Sequence, residues 1–275
     1  MGSLTKKDAN YRIMPNNEMK WSSNTPGEII FLLDQSGSMT QSFVNGESRS
    51  EFACKAINSL IDDIIQRNSK GFEPKNRAHI AVIGYNSDVQ CILDGFLNEI
   101  NEMNVEEYED GVPMWIKPTY EDGATNMKDA FELAKKIIEK WITTCPNNPA
   151  PVIINISDGH PYYNNMDYQK CMQETKDVVN QIKKLDTHDG KVQIFNVMIG
   201  NGDPSCVVKF PINDNDCKND ESRFLFDIST QIPESYIEEA RHKFGITCEQ
   251  GAKGVIYQAN DTDIVDLIRF GSTMA

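Results

Sequence analysis

The sequence lacks any long apolar run. Its hydrophobic stretches are short and broken by Asp, Asn or Gly, so none reaches the roughly 18 residues expected of a membrane-spanning helix. The opening segment MGSLTKKDANYRIM has no apolar core like that of a secretion signal. Lys6 stands where an N-myristoylation motif starting at Gly2 requires Ser or Thr. Paired cysteines are also missing: seven are scattered at positions 54, 91, 145, 171, 206, 217 and 248 with no CxxC. An odd count spread so widely predicts mostly free thiols in a reducing compartment. Positive charge is scarce, with 27 Lys and Arg against 41 Asp and Glu and a net charge of −14. Direct nucleic-acid binding is therefore not expected, because phosphate contact needs clustered positive charge. Adhesion to an anionic membrane surface is disfavoured for the same reason. Together these absences lead to the expectation of a cytoplasmic protein with no membrane insertion, its oligomeric state left open.

What is present is an ordinary globular composition, 39% hydrophobic and 25% charged over 275 residues. Almost uninterrupted apolar runs at 28–34 (EIIFLLD), 79–87, 151–159 and 192–200 suit strands covered on both faces, and 90–93 adds a short strand beside the second. Between them, 50–66, 126–141 and 167–185 carry apolar residues at helical spacing, as does 233–244 near the end. The run GVIYQA follows, and DTDIVDLI reads as a final helix with Asp261 or Thr262 as its cap. Alternating buried strands and amphipathic helices specify an α/β, Rossmann-like three-layer fold: a central, mostly parallel sheet flanked by helices.

Residues 1–26 read as an irregular lead-in and 27–275 as a single domain with extended connections at 94–122 and 201–222. The first connection shows no clear period, yet its length predicts some local structure. Its Tyr108, Trp115 and Tyr120 are either packing anchors or part of a partner surface. The second is expected to hold little regular structure, and Cys206 and Cys217 flank it. Cys54, Cys91 and Cys171 fall in apolar or helical patterns, as small core or near-surface residues do.

The most informative segment is FLLDQSGSM. Asp34 ends a buried strand, where open α/β sheets place ligand groups, and Ser36 and Ser38 follow at intervals of two around Gly37. Thr125 stands in DGATN just before a helix, and Asp158 ends another strand in ISDG. In a parallel sheet these segments converge on the carboxyl edge. Taken singly, each has a structural role available, as a turn cap, a partner for loop backbone or a helix N-cap. Taken jointly, two carboxylates and three hydroxyls form a hard oxygen set suited to magnesium, with manganese or calcium as substitutes. Two Asp charges formally neutralise a divalent ion, and an open coordination place would favour an incoming carboxylate or phosphate oxygen.

At these residues the chain resembles the von Willebrand factor A family. DQSGS at 34–38 matches its DxSxS motif, Thr125 its separate threonine and Asp158 its later aspartate, with Gly159 following the usual pattern. The resemblance implies a metal-ion-dependent adhesion site, magnesium-bearing, with Asp34, Ser36 and Ser38 as first-loop ligands. Thr125 would serve from the second loop, and Asp158 directly or through water from the third. It also implies a partner protein that offers an acidic group.

Catalytic patterns are missing. Serines stand where a haloacid-dehalogenase-like phosphatase has its second aspartate, no GxxxxGK[ST] occurs, and DQSGSM is not GxSxG. His79, His188 and His242 lack zinc-site spacing, and His160 after SDG is expected to serve the loop. The expected function is a non-catalytic, magnesium-dependent binding module or adaptor. A regulatory subunit of a larger ATPase, chelatase-like or stress-response assembly is one alternative, and an extracellular adhesion protein another.

Overall fold

The computed structural model describes residues 17–43, 46–69, 71, 73–120, 122–159, 161–200, 204–259 and 261–271. The expectations for Gly2, Lys6 and His160, and for most of the lead-in, fall outside these residues.

The first half of the chain runs β1 (Gly27–Asp34), α1 (Arg49–Asn68), β2 (Ala78–Tyr85), β3 (Val89–Phe96), α2 (Leu97–Glu102), β4 (Tyr108–Glu109) and β5 (Val112–Pro113). It continues through α3 (Met127–Thr144), β6 (Val152–Ser157), α4 (Tyr168–Ile182), β7 (Gln193–Ile199) and β8 (Val208–Lys209). The remaining elements are α5 (Asp220–Ile228), α6 (Glu234–Phe244), β9 (Val255–Ala259) and α7 (Asp261–Gly271). Seven strands form one sheet in the order β3-β2-β1-β6-β7-β9-β8. The inner strands β2, β1, β6, β7 and β9 are parallel, while β3 and β8 run antiparallel at the two edges. The fold is thus α/β with a mixed, largely parallel central sheet between helices.

Every residue of β1 is buried, which is what an uninterrupted apolar strand requires at the centre of such a sheet. Ile29, Phe31 and Leu33 face a core shared with α1, α6 and α7. Ile30 and Leu32 face a second core built with α3, α4 and α5. Period-two alternation within β1 therefore feeds both layers. Helix α1 starts with a capping box: Glu51 N donates to Ser48 Oγ at 3.1 Å, and Ser48 N donates to Glu51 Oε2 at 2.6 Å.

Several expectations need correction. The short strand at 90–93 is eight residues long, 89–96, and forms the antiparallel edge. The 94–122 connection, by contrast, holds the local structure its length predicted, α2 and the β4–β5 hairpin. Trp115 packs within it, its Nε1 donating to Ile100 O at 3.1 Å, whereas Tyr108 and Tyr120 are 62% and 65% exposed. The 201–222 region is more regular than its polarity suggested, because β8 adds to the sheet edge and α5 begins at Asp220. Cys206 is half-buried, and Cys217 is buried with its Sγ 3.5 Å from Tyr257 Oη. The last helix begins at Asp261 itself, so Thr262 lies inside its first turn rather than before it.

Candidate metal centre

The strand order places β1 between β2 and β6. The chain leaves β1 toward one side of the sheet and later fills the other, so the carboxyl ends of β1 and β6 flank a topological switch point. In such folds the crevice there is the natural ligand site. Register aligns Leu33 with Ile156, which sets Asp34 beside Ser157 at the ends of their strands. Asp34 is fully buried. Its Oδ2 accepts from Ser157 Oγ at 2.8 Å and its Oδ1 from the backbone N of Ser36 at 2.9 Å.

Beyond Asp34 the backbone stays extended at Ser36 and then enters a 3₁₀ turn over Gly37–Thr40. That turn brings Ser36 Oγ within 3.1 Å of Ser38 Oγ, and Ser38 Oγ donates to Asp158 Oδ1 at 3.0 Å. Four of the five sequence-predicted residues, Asp34, Ser36, Ser38 and Asp158, therefore share one corner of the sheet edge.

Thr125 approaches this corner through its backbone. It exchanges two hydrogen bonds with Tyr162, N to O at 2.8 Å and the reverse at 3.0 Å, on the loop just after Asp158. Gly37 N also donates to Gly123 O at 3.3 Å, which ties the first loop to the second. A Cβ at Gly37 would sit 2.8 Å from Asp122 Oδ1, so glycine permits this close approach. Among the described residues no hydrogen bond links the Thr125 hydroxyl to the other four. Thr125 is not the cap of α3 either: Asn126 fills that place, accepting from Asp129 N.

Burial pushes the Asp34 carboxyl up to about 7, and the neighbouring Asp158 charge adds to the effect, against the hydrogen bonds from Ser36 and Ser157. A buried carboxylate raised in this way is a site at which a cation would be well received. The donor set fits magnesium: all oxygens, two carboxylates and hydroxyls from serine and threonine. Among the described residues no group of three or more His, Cys, Asp or Glu side chains is placed to hold a metal ion. Any metal here would therefore depend on the hydroxyls of Ser36, Ser38 and Thr125 as much as on the two carboxylates.

Two residues at the corner escaped the sequence reading. Ser157 is one, as the donor to Asp34. Arg49 is the other: its Nη1 lies 2.6 Å from Asp158 Oδ2 and 3.4 Å from Ser38 O. The available signal was its position, since a cation at the first residue of a helix opposes the helix dipole and so invites another explanation.

The family model for the von Willebrand factor type A domain matches residues 29–160. That stretch runs from β1 through β6 and contains all five predicted residues. No curated protein matches the sequence. Similar solved structures include the conserved hypothetical protein BatB from Bacteroides thetaiotaomicron, at 18% identity over 74% of this chain and 85% of that one, with a TM-score of 0.41. Proximal thread matrix protein 1 from the mussel byssus is 15% identical over 76% of this chain and 40% of its own, TM-score 0.41. The PilB minor pilin from Streptococcus sanguinis is 15% identical over 63% of this chain and 50% of its own, TM-score 0.40. The chain thus spans half or less of the byssus and pilin chains.

Over residues 29–160 the family match agrees with the observed fold, an α/β sheet of the von Willebrand factor A type. Domains of that family are generally non-catalytic protein-interaction modules. The cytoplasmic location expected from the sequence is corrected: it rested on the scattered thiols, and the similar structures include a minor pilin and a byssus-thread protein. The physical reason is that the thiol pattern reports little about compartment here. Cys54, Cys171 and Cys217 are buried, and a lone thiol enclosed in the core is withheld from oxidants in either kind of compartment. Among the described residues no helix is long and apolar enough to cross a membrane.

Proposed function

We propose that the edge formed by Asp34, Ser36, Ser38, Thr125 and Asp158 holds a divalent cation, magnesium first, and that the chain uses it to grip an acidic group on a partner protein in an adhesion-type role. The observation that carries this reading is the convergence of Asp34, Ser36, Ser38 and Asp158 at the β1–β6 switch point, linked through contacts of 2.9–3.1 Å. Asp34 and Asp158 would supply the charge, the hydroxyls would fill neutral positions, and a cation so held would keep a place for an external oxygen. Loops around the edge, with Tyr120 and Tyr162 exposed nearby in the chain, would set which partner fits.

The test uses manganese as a paramagnetic substitute and acetate as the simplest carboxylate. Protein-bound manganese is expected to broaden the acetate methyl proton signal beyond what free manganese does. A Ser36→Ala, Ser38→Ala double variant is expected to lose that enhancement. Equal broadening with and without the two hydroxyls would refute the proposal.

A further inference from the structure

Arg49 is held where few forces favour it. It is the first residue of α1, following the Ser48 cap, so its positive charge faces the positive end of the helix. Its side chain is only 16% exposed, and its buried Nε has no hydrogen-bond partner. Desolvation and an unmet donor both oppose this placement. What it gains is a single strong contact, Nη1 at 2.6 Å from Asp158 Oδ2, with a long 3.4 Å approach to Ser38 O. The other Asp158 oxygen, Oδ1, accepts from Ser38 Oγ. The pair spans 109 residues of sequence and joins the start of α1 to the end of β6.

We infer that Arg49 is a built-in counter-cation that pairs with Asp158, weakens the hold of the site on its metal and leaves the loaded site with a net positive charge for an anionic partner. This rests on the metal-binding reading of the same edge. Asp34 and Asp158 together carry two negative charges, and Arg49 returns one positive charge. A divalent ion then leaves a formal charge of plus one rather than zero. Without Arg49 the two carboxylates alone would neutralise the ion, and a carboxylate from a partner would meet little attraction. The arrangement thus trades affinity for the cation against affinity for the anion that the cation receives.

Calorimetric titration of manganese into the wild type, Arg49→Gln and Arg49→Lys, followed by acetate broadening on each loaded protein, tests this. Arg49→Gln is expected to bind manganese about tenfold more tightly, and its loaded form to hold acetate several-fold more weakly. Arg49→Lys keeps the charge and is expected to stay within about threefold of the wild type in both. A merely structural role for Arg49 would not move the two affinities in opposite directions. Equal or weaker manganese binding by Arg49→Gln, at an unchanged unfolding midpoint, would overturn the inference. If that variant unfolds early, Arg49→Lys decides: manganese affinity altered well beyond threefold means that shape rather than charge governs, and the inference fails. If neither the wild type nor Arg49→Gln binds manganese, the metal-binding reading itself fails, a result distinct from a cation bound equally by all three proteins.

Discussion

Asp34→Asn in metal-free solution isolates the cost of keeping a carboxyl at the end of β1. Burial, then the charge on Asp158, raises the Asp34 carboxyl from its ordinary value near 3.8 to about 7. Between these values the folded chain keeps the proton that the unfolded chain has released. The stability it contributes is fully present below about pH 3.8, falls as pH rises, and is gone once pH passes about 7. The full change is about 4 kcal/mol. Asparagine has nearly the same shape and never ionises, and the Ser157 hydroxyl now donating to Asp34 Oδ2 could rotate to accept from its amide. Urea unfolding in EDTA at pH 5, 6, 7 and 8 gives the free energy of each protein. The wild type is expected to lose about 2.6 kcal/mol more than Asp34→Asn over that range, the rest of the change having occurred below pH 5. Because Glu28 remains in both proteins, its own titration cancels in the difference. Equal pH slopes would refute the burial argument. Saturating magnesium is expected to restore the wild type above pH 7 by about 2.7 kcal/mol at a hundredfold excess over its dissociation constant, and to leave Asp34→Asn almost unchanged.

Other expected outcomes test separate parts of the structure. His79 Nδ1 lies 2.9 Å from Glu28 Oε2, and burial raises Glu28 to about 7, with His79 opposing. His79→Leu should therefore destabilise the chain far more at pH 8, where Glu28 is left ionised without its partner, than at pH 5, as urea denaturation at the two pH values would show. Ser48→Ala removes the side-chain half of the α1 capping box and should cost about 1 kcal/mol in chemical unfolding. Gly254→Ala would drive a Cβ to within 2.0 Å of the Phe195 ring and should lower stability by at least 1–3 kcal/mol in the same assay. Cys91 is exposed whereas Cys54 and Cys171 are buried, so a thiol reagent followed by mass spectrometry should label Cys91 first in the native state.

The central layer was legible because its strands are buried on both faces and so write themselves as apolar runs. EIIFLLD corresponds to β1 almost to the residue, and the helical spacing of 126–141 corresponds to α3. The edges were harder. β8 is two residues long, and the β4–β5 hairpin pairs two residues with two, lengths at which side-chain periodicity has no meaning. At the candidate centre Asp34, Ser36, Ser38 and Asp158 could be placed because strand ends of a parallel sheet share an edge. Thr125 came near through the Gly37–Gly123 contact and its pairing with Tyr162, neither of which any local pattern announces. Arg49 was only half legible for a related reason: its place at the start of α1 set it against the helix dipole, but its partner Asp158 lies on another element far along the chain.

The central claim is that this edge holds a divalent cation. Calorimetric titration of magnesium into the wild type and into an Asp34→Ala, Asp158→Ala double variant tests it most directly. The account predicts one saturable site per wild-type chain and none in the double variant at an unchanged fold. Equal heats of binding for the two proteins would contradict it.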